Sequence, residues 1–362
     1  MDPARRDGSA PPHYDLVELI AKAVAAGKLD LPVADVSPMR PTTGKHGLLF
    51  RARDRASGLP VALKVLNPML ANDRQRGREA FAREAGLTRR LQERAKNVVR
   101  LTHQHDASTL VVPTDFGPFS MRIEYFGIAL YPQTLLDHIK ERSRSLSGGL
   151  SIFRDVAMAV RQMHADHVCH RDLKPDNCFI RSEPGNRIGV VGDLGEACDL
   201  DAPDFLRDLG EDYAMVMWGE MRYVAPEYFV GLAGTEDLKR VDYYSLGCVL
   251  YELSTGKVLA EDIQDVFNQL QQARRKVASF SPGPKRRAAA DALLAHVATL
   301  YRVPIVGVQP PIPGPRTSHE LQGLLARLCT ADPQARLCDS DDLLRRVDRL
   351  IEVAKSEEVQ RV

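Results

Sequence analysis

The chain has 362 residues, 44% hydrophobic and 27% charged, the make-up of a folded globular protein with more than one core, which excludes wholesale disorder. Forty-nine basic and 48 acidic side chains leave a formal net charge of +1, so no global field calls for a nucleic acid or a membrane surface as partner. Six cysteines form no Cys-x-x-Cys pair and no zinc spacing, and no stretch reads as a signal peptide or a membrane span, so reduced thiols and a cytoplasmic location are expected.

Residues 1–13 are polar, carry three prolines and read as a disordered tail. A helical extension over 14–37 follows, with Leu16, Ile20, Ala23 and Val24 at i, i+4, i+7 and i+8, a stripe that needs the first domain as its partner surface. Between Thr42 and Tyr131 the texture turns to β-like runs at 48–52, 60–66, 97–101, 109–113 and 123–131. One helix interrupts them, from about Arg74 to Arg94, with Phe81, Glu84, Leu87 and Leu91 near one stripe.

After Gln133 the periodicity is helical. Ile152, Val156, Ala159, Val160 and Met163 form an apolar stripe, and 243–253 is apolar almost all round, the mark of a helix buried in a large lobe that Gly256 is placed to stop. Residues 261–320 hold helical stretches at 263–272 and 285–301 and a proline-rich connector, 304–315. This elaborated region and the N-terminal helix are the expected docking surfaces for a partner. Ser340 is expected to cap a last helix burying Leu343, Val347, Leu350 and Ile351, with 354–362 as a tail.

The segment His170-Arg171-Asp172-Leu173-Lys174-Pro175-Asp176-Asn177 carries chemistry. Phosphoryl transfer asks for a group that orients the attacking hydroxyl, cations for the phosphates and oxygen ligands for magnesium, and Asp172, Lys174 and Asn177 supply a carboxylate, an ammonium and a carboxamide. On these residues the segment resembles the catalytic loop of the eukaryotic-type (Hanks-type) serine/threonine protein kinases, in which a lysine follows the aspartate by two. The Ala-, Arg-, Leu- and Asp-rich texture points to a bacterial member. The resemblance spans about residues 38–353 and implies an α+β, two-lobed kinase fold. A small antiparallel β lobe with one main helix would occupy 38–133, and a larger, mainly helical lobe 134–353.

The resemblance also implies roles. Val61-Ala62-Leu63-Lys64 is similar to the strand whose lysine holds the α- and β-phosphates of ATP, and Glu84, twenty residues on, stands where a helix glutamate pairs with it. The phosphate-covering loop, Thr42-Thr43-Gly44-Lys45-His46-Gly47-Leu48-Leu49, keeps Gly44 and Gly47 of the family's three glycines. Leu49 and Ala62 would roof the adenine and Phe179 would floor it. Gly192-Asp193-Leu194-Gly195 takes the place of Asp-Phe-Gly, which makes Asp193, with Asn177, the expected Mg²⁺ ligand. Glu227 of Ala225-Pro226-Glu227 implies a buried pair with Arg336, and Asp242 implies a tether for the catalytic-loop backbone. Asp172 would orient and deprotonate a serine or threonine hydroxyl of a protein substrate, Lys174 would neutralise the transferring phosphoryl group, and ATP with Mg²⁺ would be held in the cleft.

Two departures stand out. Glu220 occupies the position of the family's threonine before the Tyr-x-Ala-Pro-Glu run, and residues 193–227 contain neither serine nor threonine. In that segment Glu196, Asp199, Asp201, Asp204, Asp208, Glu211 and Asp212 face only Arg207 before Gly219. A carboxylate is therefore expected to replace the usual phosphate near Arg171, giving a kinase active without phosphorylation of this loop. The rival readings are a small-molecule kinase of the aminoglycoside-phosphotransferase type, which lacks the Arg-Asp-x-Lys and Ala-Pro-Glu features, and a pseudokinase scaffold, prompted by the thinned glycine loop and Glu220. His103 and His105 are expected to be surface histidines rather than a metal pair, and Lys285-Arg286-Arg287 a solvated helix face.

Overall fold

The computed structural model describes residues 13–43, 47–67, 74–114, 117–141, 145–202, 219–229, 237–281, 283–300 and 314–360. The chain divides into one unit made of residues 1–90 and 99–130 and a second made of 91–98 and 131–362.

The first unit is an antiparallel sheet of five strands: β1 (Val33–Thr43), β2 (Gly47–Asp54), β3 (Pro60–Leu66), β4 (Leu101–Thr114) and β5 (Gly117–Ala129), in the order β1-β2-β3-β5-β4. Alternation decides which side chains go to which face. Leu48 pairs with Val65 and Phe50 with Leu63, so all four point to one side, where they meet Val17, Ile20, Ala23 and Val24 of helix α1 (His13–Ala25). Leu49 pairs with Lys64 and Arg51 with Ala62, which puts these on the opposite side. That side also carries Phe126, opposite Lys64, and Phe126 packs at 4.8 Å on Phe81 of helix α2 (Arg74–Gln92).

The N-terminal helix is thus part of the core of this unit. Ile20 is fully buried, and Ile20→Ala should cost about 2–5 kcal/mol through lost burial and an unfilled cavity. Glu18→Ala, on the exposed face and losing a solvent-exposed pair with Lys22, should leave the stability essentially unchanged. Urea denaturation of the two variants checks the contrast.

Strand β1 begins at Val33, inside the segment expected to be a helical extension. Pro38 and Pro41 read against a strand, but β1 lies at a sheet edge and is interrupted by register shifts between Ala34 and Ser37 and between Pro38 and Thr43, where missing amide donors cost little. The runs expected at 97–101 and 109–113 are not separate strands of one sheet. The second is the far part of the 14-residue β4, whereas Val98 makes only an isolated parallel bridge to Val191 in the second unit.

The second unit is mainly helical. Helices α3 (Leu135–Lys140) and α4 (Leu146–Ala165) precede the short strands β7 (Val168–Cys169), β8 (Cys178–Glu183) and β9 (Asn186–Val191); β6 (Gln133–Thr134) pairs with β8, and β10 (Cys198–Asp199) with β7. Then come α5 (Pro226–Phe229), α6 (Leu238–Thr255), α7 (Leu259–Asp262), α8 (Gln264–Ala278), α9 (Pro284–Leu300), α10 (Pro315–Leu328) and α11 (Ser340–Val359). Helix α6 is buried along nearly its whole length, and Gly256 ends it in the left-handed conformation at φ 72°.

Helix α11 corrects two expectations. Its cap is Asp339, whose carboxylate accepts from the amides of Asp341 (2.8 Å) and Asp342 (2.9 Å), because Ser340 is already the first helical residue. The helix also continues through 354–359, since Ala354 is buried and Glu357 reaches across to the start of α10, accepting from the amides of Arg316 and Thr317 and from the Thr317 hydroxyl at 2.6 Å.

Between α3 and β9, Glu141 accepts from both terminal nitrogens of Arg187 (3.0 and 3.2 Å) and from Gln133 (2.5 Å), and it meets His138 Nδ1 at 3.1 Å. The Arg187 guanidinium, above all, holds the Glu141 carboxyl down at about 2, against an ordinary value of 4.5. Its contribution to stability is therefore present above pH 4.5 and drains away as pH falls towards 2. Acid titration of the melting temperature should show a steeper fall over this window for the parent chain than for Glu141→Gln.

Candidate active site

In the first unit, β3 presents Lys64 beneath α2, and the ammonium sits 2.7 and 2.8 Å from the two carboxylate oxygens of Glu84. Both side chains are buried, so the pair is shielded from solvent and holds the lysine in one place. Gly47, opposite Leu66, lies against β3 so closely that a β-carbon there would be 2.9 Å from the Val65 carbonyl oxygen and 3.2 Å from Lys64 Cγ. Leu49 and Ala62 share the sheet face of Lys64, as the register above requires. Gly44 lies outside the described residues.

In the second unit, Asp242 of α6 organises the loop that begins at His170. Its fully buried carboxylate accepts from the backbone amides of His170 and Arg171, both at 2.8 Å, and meets His164 Nε2 at 2.8 Å. Burial alone would raise its pKa; His164 and the amides more than offset this and hold it low. Arg171 is thereby fixed at φ 64°, a left-handed conformation unusual for a non-glycine residue. The tether expected for Asp242 is in place.

The next residue, Asp172, has its carboxylate pinned from several sides. Oδ2 accepts from Asn177 Nδ2 at 2.9 Å and lies 3.1 Å from Lys174 Nζ, while Oδ1 accepts from the amide of Glu220 at 2.8 Å. That last contact needs Gly219, at φ 85°: a β-carbon there would be 2.4 Å from the Arg171 carbonyl oxygen and 3.1 Å from Asp172 Oδ1. Gly219 is a site residue that sequence reasoning missed, though a glycine immediately before the anomalous Glu220 was a usable signal.

Asn177 is 5% exposed, and its amide nitrogen is engaged by Asp172, which leaves Oδ1 as a hard oxygen donor aimed elsewhere. The carbonyl of Asn177 accepts from the amide of Gly192 at 3.0 Å, which brings Asp193 alongside. Asp193 adopts a left-handed conformation at φ 57°, and its charge is one of those felt by Lys174. Burial alone would lower the pKa of Lys174; the carboxylates of Asp172, then Glu220 and Asp193, raise it instead. Asn177 and Asp193 together are a carboxamide and a carboxylate oxygen donor, the ligand type that Mg²⁺ takes. Phe179 stacks on Tyr131 with ring centres 5.7 Å apart.

Glu220 is shared. It lies 3.7 Å from Lys174 Nζ and accepts from Arg222 Nε at 2.5 Å, so Arg222 is the closer of its two cationic partners. Tyr223 donates to Glu252 at 2.6 Å, and burial pushes the Glu252 carboxyl up. Glu227 and Arg336 form the expected bidentate pair, Nη1 to Oε1 at 2.5 Å and Nη2 to Oε2 at 2.9 Å, with both side chains buried. Arg171, 2% exposed, donates from Nε to the carbonyl of Glu196, the start of the acidic stretch; Asp204, Arg207, Asp208, Glu211 and Asp212 lie outside the described residues.

His103 and His105 do not converge on a common point. His103 meets Asp54 at 2.8 Å and His105 meets Glu124 at 3.1 Å, each partly buried against its own carboxylate. Among the described residues the cluster with metal-ligand chemistry is His164, Cys169 and Asp242, and its carboxylate is already used by the backbone amides of His170 and Arg171. No helix of the described residues is long and apolar enough to cross a membrane.

A five-stranded sheet whose lysine is clamped by a helix glutamate, together with a mainly helical unit that displays Asp172, Lys174 and Asn177 beside Asp193, defines the protein kinase class. The protein kinase domain family model matches residues 42–346, and the chain belongs to that family. It is 28% identical to serine/threonine-protein kinase A of Synechocystis sp. over 60% of this chain and 39% of that protein. It is 29% identical to cell division control protein 2 homolog 1 of Trypanosoma brucei brucei over 65% of this chain and 71% of the relative, and 31% identical to serine/threonine-protein kinase pkn3 of Myxococcus xanthus over 59% and 36%. The chain thus spans well under half the length of the two bacterial relatives. Membership of the family implies use of ATP.

Proposed function

We propose that this chain is a serine/threonine protein kinase that passes the γ-phosphoryl group of ATP to hydroxyls of protein substrates. The observation that carries this reading is the Asp172 carboxylate, held by Asn177, Lys174 and the Glu220 amide in one orientation. In that setting Asp172 orients the acceptor hydroxyl and takes its proton, and Lys174 offsets charge on the phosphoryl group in flight. Lys64, fixed by Glu84, holds the α- and β-phosphates, with Gly47 allowing close approach of the β2 backbone and Leu49, Ala62 and Phe179 flanking the base. Asn177 and Asp193 would hold Mg²⁺, which supplies charge neutralisation on the phosphates.

We further infer that the segment after Asp193 supports activity without being phosphorylated. Arg171 is buried and already bonded to the Glu196 backbone, and the sequence there is acidic and without serine or threonine. Incubation with labelled ATP and Mg²⁺ tests both statements. Label should appear on serine or threonine of a generic protein acceptor, and phosphatase pretreatment should leave the rate unchanged. Label on aminoglycosides but on no protein would favour the small-molecule kinase; nucleotide binding without transfer would favour the scaffold.

A further inference from the structure

The elbow between α8 and α9 carries a cluster of charges with no compensating carboxylate among the described residues. Arg275 and Lys276 close α8, and Lys285, Arg286 and Arg287 open α9, six residues after the Ala278 end of the first helix. Arg286 folds back to donate from Nε (2.8 Å) and Nη2 (2.5 Å) to the Phe280 carbonyl, which brings the first turn of α9 against the elbow. Arg275, Lys276, Lys285 and Arg287 are exposed, and among the described residues none has a carboxylate partner. Asp291, four residues beyond Arg287, makes no pair with it, in keeping with the weaker cation-first order at i,i+4. Elsewhere in the same unit the surface arginines Arg222, Arg240, Arg346 and Arg349 each hold a carboxylate.

The cations on α8 suit the negative end of their helix. Those on α9 do not: they crowd the positive end, where acidic side chains are favoured, and that turn contains no acid. An anion in the elbow would relieve this conflict. The elbow also holds two serines. Ser279 closes α8, donating its hydroxyl to the Lys276 carbonyl at 2.7 Å. Ser281 is exposed, non-helical, and its hydroxyl has no hydrogen-bond partner among the described residues.

We propose that Ser281 is a phosphorylation site filled by the chain's own kinase activity, and that Arg275, Lys276, Lys285 and Arg287 hold the resulting phosphate. The inference rests on the protein kinase reading above. The Ser281 oxygen attacks the γ-phosphorus of ATP, the new O–P bond forms as the bond to the β,γ-bridging oxygen breaks, its electron pair leaves with ADP, and the hydroxyl proton passes to Asp172. The product brings about two negative charges to four cations that have no carboxylate partner among the described residues.

The test uses the dephosphorylated full chain with ATP and Mg²⁺, a separate protein acceptor, and mapping of modified residues by mass spectrometry. Phosphate should appear on Ser281 in the parent chain and on neither Asp172→Asn nor Ser281→Ala, while Ser281→Ala still labels the acceptor at the parental rate. A labelled acceptor with Ser281 bare, or phosphate on Ser279 alone, overturns the proposal and leaves the kinase reading standing; equal modification of Asp172→Asn overturns the proposal and the role given to Asp172 together. Label on nothing overturns the kinase reading and this proposal with it. The phosphate's capture is read separately: at low salt the phosphorylated chain should melt a few degrees above its unmodified form, and a Lys285→Gln/Arg287→Gln variant should lose most of that rise. An unchanged melting temperature overturns the capture.

Discussion

Asp172→Asn should fold, bind nucleotide, and transfer phosphoryl groups roughly 10²–10⁴-fold more slowly, the range that a positioned acid–base group contributes. The substitution keeps the shape of the side chain and removes its charge and one acceptor. Oδ2 now faces the Asn177 amide and the Lys174 ammonium, and Oδ1 faces the Glu220 amide, so all three neighbours are donors. An asparagine must turn its own NH₂ towards one of them, which costs about 1–3 kcal/mol locally and leaves the buried tether at Asp242 intact. Steady-state kinetics should therefore show the loss in kcat, with the KM for ATP little changed. A loss confined to KM would mean that Asp172 serves binding rather than proton transfer.

Glu227→Ala should destabilise the helical unit by about 3–5 kcal/mol, the cost of leaving a buried charge without its partner. The Arg336 side chain is wholly inaccessible, so it cannot recover solvation by a small movement. It would keep only the carbonyls of Arg240 (3.1 Å) and Thr330 (2.9 Å) and the face of Tyr244 at 5.2 Å. In a domain of this size each kcal/mol lowers the melting temperature by roughly 2–4 °C, so calorimetry resolves the effect readily. Activity should fall with it, since α5 and the Gly219–Glu220 turn that touches Asp172 belong to the same short stretch. Replacing both partners by apolar residues of similar volume should recover much of the stability and little of the activity. A loss below about 1 kcal/mol for Glu227→Ala would show that water reaches the guanidinium.

Much of the candidate site was legible because each group sits in a segment with its own local signal. Lys64 follows the apolar run Val61-Ala62-Leu63, Glu84 lies on the apolar stripe of a helix, and Asp172, Lys174 and Asn177 fall within six residues, so the resemblance to kinase motifs had short local segments to rest on. Partners set by packing were harder to read. Arg222 lies two residues from Glu220, yet nothing local says that it, rather than Lys174, takes the shorter contact. The same holds for Glu357, whose role at the start of α10 depends on how two helices meet. Strand β1 hid behind its prolines, which an edge position with register shifts tolerates and a central strand would not. The cap at Asp339 differed from the expected Ser340 by one residue, a shift that depends on which of two polar neighbours keeps extended backbone.

A crystal structure of the chain with Mg²⁺ and a non-hydrolysable ATP analogue tests most directly whether the two units serve one triphosphate. Lys64 Nζ should lie within hydrogen-bond distance of an α- or β-phosphate oxygen, with Asn177 Oδ1 and Asp193 on the metal and Asp172 facing the γ-phosphate. A nucleotide seated away from Lys64 and Asp193, or a metal held without either Asn177 or Asp193, would contradict that expectation.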